Sequence, residues 1–255
     1  MILLTAITQI GGVLWLVTII IVAGNKKNKA LKRFVGFIIL YAICTFLVVP
    51  YVAPLMGREK VENTTGVSAH SFWTVALNRN YVRPSLNKLL QYTAQELQKK
   101  FPGIKIVYLD ASFPFLDGFP LLPHLSHNDG KKIDISFIYK TSNGAITNKK
   151  PSISGYGVFV NPENQKSSMT NTCKSKGYFQ YDFSKYLSFG TINKDLRLHP
   201  EATAFMITRF ARDQATGKIF IEPYLKRQMN LYNEKIRFHG CQAVRHDDHL
   251  HLQLR

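Results

Sequence analysis

Acidic residues are scarce in this sequence, and none occurs before Glu59. The 255 residues carry 16 Asp and Glu against 33 Lys and Arg, a formal net charge of +17. A balance this basic points to an anionic polymer or surface as a neighbour. Nucleic acid is one such polymer, but the chain carries no recognition motif for it, which removes nucleic acid from the expected partners. Cysteine is scarce too. Three residues, Cys44, Cys173 and Cys241, leave room for one disulfide at most. No basic residue precedes the first apolar run, so that run lacks the start of a secretory signal peptide. No internal repeat is present.

Two long apolar runs fill the acid-free N-terminal part. Residues 2–23 and 34–56 contain no charged side chain. Each is long enough to cross a hydrocarbon core, which needs about 20 residues. Five of the basic charges, Lys26, Lys27, Lys29, Lys32 and Arg33, lie between them, leaving +12 for the rest of the chain. A basic connector stays on the cytoplasmic side. The expectation is a two-helix membrane anchor over residues 1–57, with a cytoplasmic loop at 24–33 and both termini outside. A second run acting as a cleaved signal from a later start is the alternative, but no small-x-small cleavage site follows it. Residues 58–80 are polar and read as a tether, and residues 81–255 as the folded domain.

That domain alternates helical and strand patterns. Pro84 opens a helix carrying Leu86, Leu89, Leu90, Ala94, Leu97 and Phe101 at helical spacing, stopped by Pro102-Gly103. A strand follows at 104–109, and a second around Ile133, Ile135 and Phe137. About forty residues rich in Asn, Ser, Gly and Lys, 140–181, read as a long loop that either walls a cleft or is a plain surface insertion. His199-Pro200 opens a second long helix expected to end at Gly217. A strand at Ile219 and a third helix, from Pro223 through Met229 to Tyr232, come next. The expected fold class is α+β: a small antiparallel sheet with flanking helices.

The chemistry concentrates in two stretches. Residues 245–255 read RHDDHLHLQLR. In a strand, His249 and His251 share one face and Leu250, Leu252 and Leu254 the other. Residues 123–139 read PHLSHNDGKKIDISFIY, with Gly130 marking a turn and Asp134 facing away from the apolar side of its strand. His127, Asp134 and His251 make a three-ligand set for one Zn²⁺, leaving a fourth position for water. His70, His199 and His239 have no partner at ligand spacing and are expected to be surface or capping residues.

These blocks, H-x-x-S-H-x-x-G-x-x-x-D at His124, Ser126, His127, Gly130 and Asp134, and H-x-x-H-x-H at His246, His249 and His251, resemble those of the penicillin-insensitive murein endopeptidases. That family belongs with lysostaphin-type enzymes, D-Ala-D-Ala metallopeptidases and hedgehog domains. The resemblance covers about residues 81–255. Asn128 stands where the family has Gln, and the glycine-rich loop before the first block is reduced to FPFLDGFP. It implies a hedgehog-like fold and a zinc peptidase of the bacterial inner membrane, with its catalytic domain in the periplasm. Peptidoglycan cross-links are the implied substrate, and His246 and His249 the catalytic groups. His124, Ser126 and Arg83 are implied around the metal or substrate, with Asp110 and Ser112 on a loop nearby. An exported domain permits a Cys173–Cys241 disulfide. A D-Ala-D-Ala carboxypeptidase or dipeptidase, and a non-catalytic zinc-stabilised wall-binding domain, are the alternatives. The oligomeric state is open.

Overall fold

The structure, a computed structural model, describes residues 1–24, 27–162 and 168–255. Lys26 of the basic connector lies outside the described residues. By contact density the chain divides into two compact units. The first comprises residues 1–61, 72–87 and 110–132, and the second residues 62–71, 88–109 and 133–255.

In the first unit the two-span anchor is not formed. The first apolar run breaks into α1 (Ile2–Thr8) and α2 (Gly11–Ile21). Gln9 between them takes a left-handed φ of 67°, and the Thr8 hydroxyl accepts the Gly11 N–H at 2.8 Å. The break lets α1 fold back on α2. A Cβ on Gly12 would stand 2.0 Å from Thr5 Oγ1, so glycine permits the approach. At 11 residues, α2 rises about 16 Å, well short of a bilayer core.

Among the described residues, one helix is long and apolar enough to cross a membrane: α3, Lys29–Met56, 28 residues. It holds a π-helical stretch at Cys44–Val48 and tightens to 3₁₀ geometry at Ala53–Met56, with Gly57 in the left-handed conformation at its end. Val49 and Ala53 bury against Tyr81, with Ile10 and Phe115 packed beside them. The Gln9 side chain accepts the Phe115 N–H at 2.9 Å.

Residues 58–80, expected as a tether, are folded. Arg58 is fully buried, and its guanidinium bonds the Phe113 carbonyl and Asp117. β1 (Glu59–Lys60) pairs antiparallel with β3 (Tyr81–Val82). Between them lie β2 (Val67–Ala69) and the short helix α4 (Phe72–Ala76). Buried polar side chains, not apolar ones, carry much of this packing, which is why the composition reads as a linker.

The second unit is built on a six-stranded sheet. Its strands are β2, β4 (Ile106–Tyr108), β5 (Lys132–Ser136), β9 (Thr216–Phe220), β10 (Ile236–Arg237) and β11 (His249–Leu254), in the spatial order β10-β9-β11-β5-β4-β2. The expected antiparallel sheet is corrected to a mixed one. The outer pairs β10/β9 and β2/β4 are parallel, while β9/β11 and β4/β5 are antiparallel. A smaller sheet joins β6 (Tyr139–Lys140), β7 (Ile146–Thr147) and β8 (Arg197–Leu198).

The expected helix at Pro84 is α5, Pro84–Lys100, whose Leu86, Leu89, Leu90, Ala94 and Leu97 are buried. Within the long loop, residues 169–175 form α6, and a 3₁₀ segment at residues 179–187 runs across its end. Cys173 and Cys241 are joined by a disulfide, their Cα atoms 5.2 Å apart, tying α6 to the segment before His246. Cys44 carries a free thiol.

α7 is Pro200–Arg212, and the His199 ring accepts the Ala202 N–H as its N-cap. The helix stops five residues before the expected Gly217, which lies inside β9 because that strand begins at Thr216. A Cβ there would stand 3.1 Å from the Leu254 backbone, so this glycine serves strand approach. α8, Pro223–Gln228, also ends early. Tyr232 lies beyond it and is exposed.

Candidate metal centre

In the second unit, β5 and β11 lie side by side and present Asp134, His249 and His251. Leu250, Leu252 and Leu254 are buried as the alternation predicts, yet His249 and His251 are buried too. Both faces of this strand are covered, so alternation of chemistry is not alternation of exposure.

Asp134 is the hub. His251 Nδ1 stands 2.9 Å from its Oδ1, and His249 Nε2 3.8 Å from its Oδ2. The Tyr156 hydroxyl donates to Oδ2 at 3.0 Å, with its ring edge-on to His249 at 4.9 Å between centroids. On its other side, His249 Nδ1 lies 2.5 Å from Asp248 Oδ1. Asp248 is itself fixed, since its second oxygen accepts the Gly157 N–H at 2.5 Å. Gly157 has φ +81°, and a Cβ on it would meet the Ser184 carbonyl oxygen at 2.3 Å. No other residue fits there without moving the chain.

His246 packs among rings: His249 at 5.0 Å, His239 at 5.6 Å, His251 at 6.0 Å and Phe220 at 6.2 Å. Its backbone N–H donates to Glu222 Oε1 at 3.1 Å. The two imidazoles sit in opposite environments. Burial, reinforced by the neighbouring imidazoles, pushes His246 well below the usual histidine range. Burial acts in the same direction on His249, but the Asp248 and Asp134 carboxylates outweigh it and lift that ring to about 9.

In the first unit, the loop before β5 carries His124 and His127. His127 Nδ1 lies 2.8 Å from the Ala111 carbonyl oxygen, an acceptor that fixes Nδ1 as the donor and leaves Nε2 to act as the ligand atom. The rings of His124 and His127 stand 5.5 Å apart. His124 Nδ1 is 3.3 Å from Asp110 Oδ2, and Arg79 holds the Asp110 carboxylate with two bonds, at 2.6 and 2.9 Å. Burial alone would raise the Asp110 carboxyl, but the Arg79 guanidinium dominates and holds it near 2. Gly130, with φ +74°, makes the turn into β5, its N–H donating to Ser112 Oγ at 3.2 Å.

His124, His127 and Asp134 offer one ligand atom each, all within 4.8 Å of one another. The group is consistent with one metal ion. Two ligands at about 2.0 Å on a tetrahedral ion stand about 3.3 Å apart. His251 Nδ1 and Asp134 Oδ1, 2.9 Å apart, stand at an ordinary hydrogen-bond distance. Imidazole nitrogens and a carboxylate are also the donor types zinc accepts.

The other expected residues take other places. Arg83 is engaged by Asp117 Oδ2 at 2.7 Å, the Asp129 carbonyl at 3.0 Å and the Gly57 carbonyl at 3.4 Å. Ser126 is exposed, and its carbonyl accepts the Asn128 N–H. His70 Nε2 lies 2.9 Å from the Ile153 carbonyl oxygen. His239, expected at the surface, stacks on His246 and meets Phe220 edge-on at 4.3 Å.

Sequence reading missed Tyr156, the orienting role of Asp248, and Glu222. One signal for Tyr156 exists: it stands between two glycines, Gly155 and Gly157, both with left-handed φ.

A second buried polar cluster lies in the same unit. Arg245 donates Nε to Asp247 Oδ1 at 2.6 Å and pairs its Nη2 with the other oxygen. Tyr224 donates to Asp247 Oδ2 at 2.9 Å, and Tyr181 to Glu222 Oε2 at 2.7 Å. The Arg245 guanidinium lies 3.9 Å from the Phe159 ring centre. Burial lifts the Asp247 carboxyl to about 7 even beside Arg245. Comparison with protein-family models finds no match to this chain, and comparison with curated proteins finds none either.

Proposed function

We propose that this chain is a membrane-anchored zinc peptidase that hydrolyses peptide cross-links of peptidoglycan. The observation that carries the reading is the buried Asp134 carboxylate with imidazoles gathered around it. The substrate class rests on the resemblance of the two histidine blocks. His127, Asp134 and His251 hold the ion. When bound, zinc supplies Lewis acidity and brings the pKa of a water to about 7. Asp248 fixes the His249 ring, so its Nε2 stays directed at the Asp134 side of the site. His246 and His249 move the protons, one from the attacking water and one to the leaving amine. The basic surface favours an anionic wall or lipid neighbour. With α3 as the span and the basic connector inside, the chain beyond α3 leaves the membrane on the periplasmic side.

One observation favours a second reading. His124 joins His127 and Asp134 within ligand spacing, and with His251 it would complete four protein donors. Closed four-donor sites are structural, whereas open ones are catalytic. The test is metal content and muropeptide digestion, the fragments identified by mass, on purified full-length variants. In the enzyme reading Asp134→Ala loses zinc and activity together, and His124→Ala keeps its zinc. Full zinc occupancy in Asp134→Ala removes the metal centre. Loss of zinc in His124→Ala, together with an inactive wild type, assigns the site to a structural ion.

A further inference from the structure

The short helix α4 presents two adjacent aromatic side chains, Phe72 and Trp73, that are 66 % and 65 % exposed. They meet each other at 5.7 Å between ring centres, and Phe72 stacks on Phe46 of α3 at 6.4 Å with the planes 25° apart. Phe46 is itself exposed, as are Leu47, Val48, Tyr51 and Leu55 of the same helix. The apolar outer surface of α3 therefore continues onto α4.

The attachment is to the middle of α3, not to its end. Tyr41 donates its hydroxyl to the Ala76 carbonyl at 2.8 Å. Asn78 donates to the Tyr41 hydroxyl at 3.3 Å and to Thr45 Oγ1 at 3.4 Å. Lys32 and Arg33 fix the charged end of the helix. A hydrocarbon core takes about 20 helical residues, so a span that starts at Phe34 runs to about residue 53. Tyr41, Thr45 and Phe46 fall inside it, and whatever bonds to them falls inside too. The last carbonyl of α4 is taken by a tyrosine hydroxyl, as backbone away from water requires.

We infer that α4 is a second membrane-inserted element, a short re-entrant helix whose Phe72 and Trp73 contact lipid acyl chains beside the middle of α3. This rests on the membrane reading of α3 given above. It has a consequence for the metal centre. Three residues beyond α4, Arg79 grips Asp110, which contacts His124. Within this unit, the loop that offers His124 is tied through two side chains to a lipid-seated helix, so substrate is taken at the membrane face.

The chain has two tryptophans, which makes the inference testable site by site. Trp15 lies on α2, its ring 5.5 Å from Phe37 of α3, and serves as the reference for the span. Full-length protein is placed in phosphatidylcholine–phosphatidylglycerol vesicles containing lipids brominated on their acyl chains. Trp15→Phe reports Trp73 alone, and Trp73→Phe reports Trp15 alone. The difference between wild type and Trp73→Phe gives Trp73 a second reading that does not depend on Trp15→Phe folding. Bromolipid should quench Trp73 at least twofold, and aqueous acrylamide should reach it poorly. Quenching of Trp73 by acrylamide without bromolipid overturns the inference. Shielding from both quenchers also overturns it, and assigns the face to protein, such as a second copy of this chain. If bromolipid reaches Trp15 but not Trp73, only α4 insertion falls. If it reaches neither, the membrane reading falls with it.

Discussion

Five consecutive residues, Arg245 to His249, feed two buried polar clusters of opposite character. In one, every carboxylate oxygen of Asp247 is met by Arg245 or Tyr224, and both oxygens of Glu222 by the His246 N–H and Tyr181. These donors cannot change partner without unfolding the segment, so the cluster holds shape. In the other, the oxygens of Asp134 face two imidazoles and one phenol. Imidazoles gain and lose protons near neutral pH and ligate metals. Charges of equal burial thus do different things, and the difference lies in whether their partners are fixed donors or exchangeable ones.

The largest losses belong to the imidazole side. His249→Ala should retain zinc and lose about 10²–10⁴-fold in cross-link cleavage, the range for removing a general acid or base. Asp248→Asn should cost less, about 10–100-fold, as expected for a group that orients another, with zinc content unchanged. Steady-state digestion paired with metal analysis checks both. Activity equal to wild type in Asp248→Asn would leave the Asp248–His249 contact with no role in turnover.

The fixed-donor side should fail as folding. Arg245→Met strands the Asp247 carboxylate in the interior, a change that typically costs about 3–5 kcal/mol. Denaturant midpoints should fall while the activity of the remaining folded protein persists at low temperature. A midpoint equal to wild type would mean the pair contributes nothing to stability.

Cys173→Ser opens a link across 68 residues that ties α6 to the segment before His246. Loss of such a bridge typically costs about 2–5 kcal/mol. Thiol labelling of denatured, non-reduced wild type should reach Cys44 alone. Labelling of all three cysteines would remove the bridge.

The smallest effect belongs to a third kind of buried charge. Lys150 is 3 % exposed, donates to the Phe137 carbonyl at 3.0 Å, and burial pulls its amine down to about 7. Between about pH 7 and its ordinary value of 10.5 the unfolded chain binds the extra proton, so this residue makes stability rise with pH. The slope from one such group is at most about 1.4 kcal/mol per pH unit. Lys150→Met should flatten the wild-type rise in denaturant midpoint between pH 7.5 and 9.5. An unchanged slope would assign the rise to other groups.

Local pattern was sufficient where neighbours in sequence are neighbours in space. The 3.6-residue spacing of Leu86, Leu90 and Leu97 located α5, and the alternation from His249 located β11. The same reading failed where one residue changed the outcome. Gln9 is the one strongly polar side chain in residues 2–23, but hydropathy does not contain its left-handed φ or its bond to the distant Phe115 N–H, which divide the run into two short helices. Residues 58–80 read as a tether because their packing uses the buried Arg58, Asn78 and Asn80 in place of apolar bulk.

For the site, sequence by itself determined which donors exist and the strand face on which His249 and His251 stand, because both are set by residue type and a two-residue period. It also determined the apolar length of α3. Only the tertiary structure decided that Asp134 meets His251 and that the His124 and His127 rings stand together. It alone placed Tyr156 and Asp248 against His249, and gave Arg245 and Asp247 to a separate, saturated cluster. Those pairings join residues up to 117 positions apart. They are fixed by sheet order and by where Gly157 lets the backbone approach, quantities that no local pattern contains.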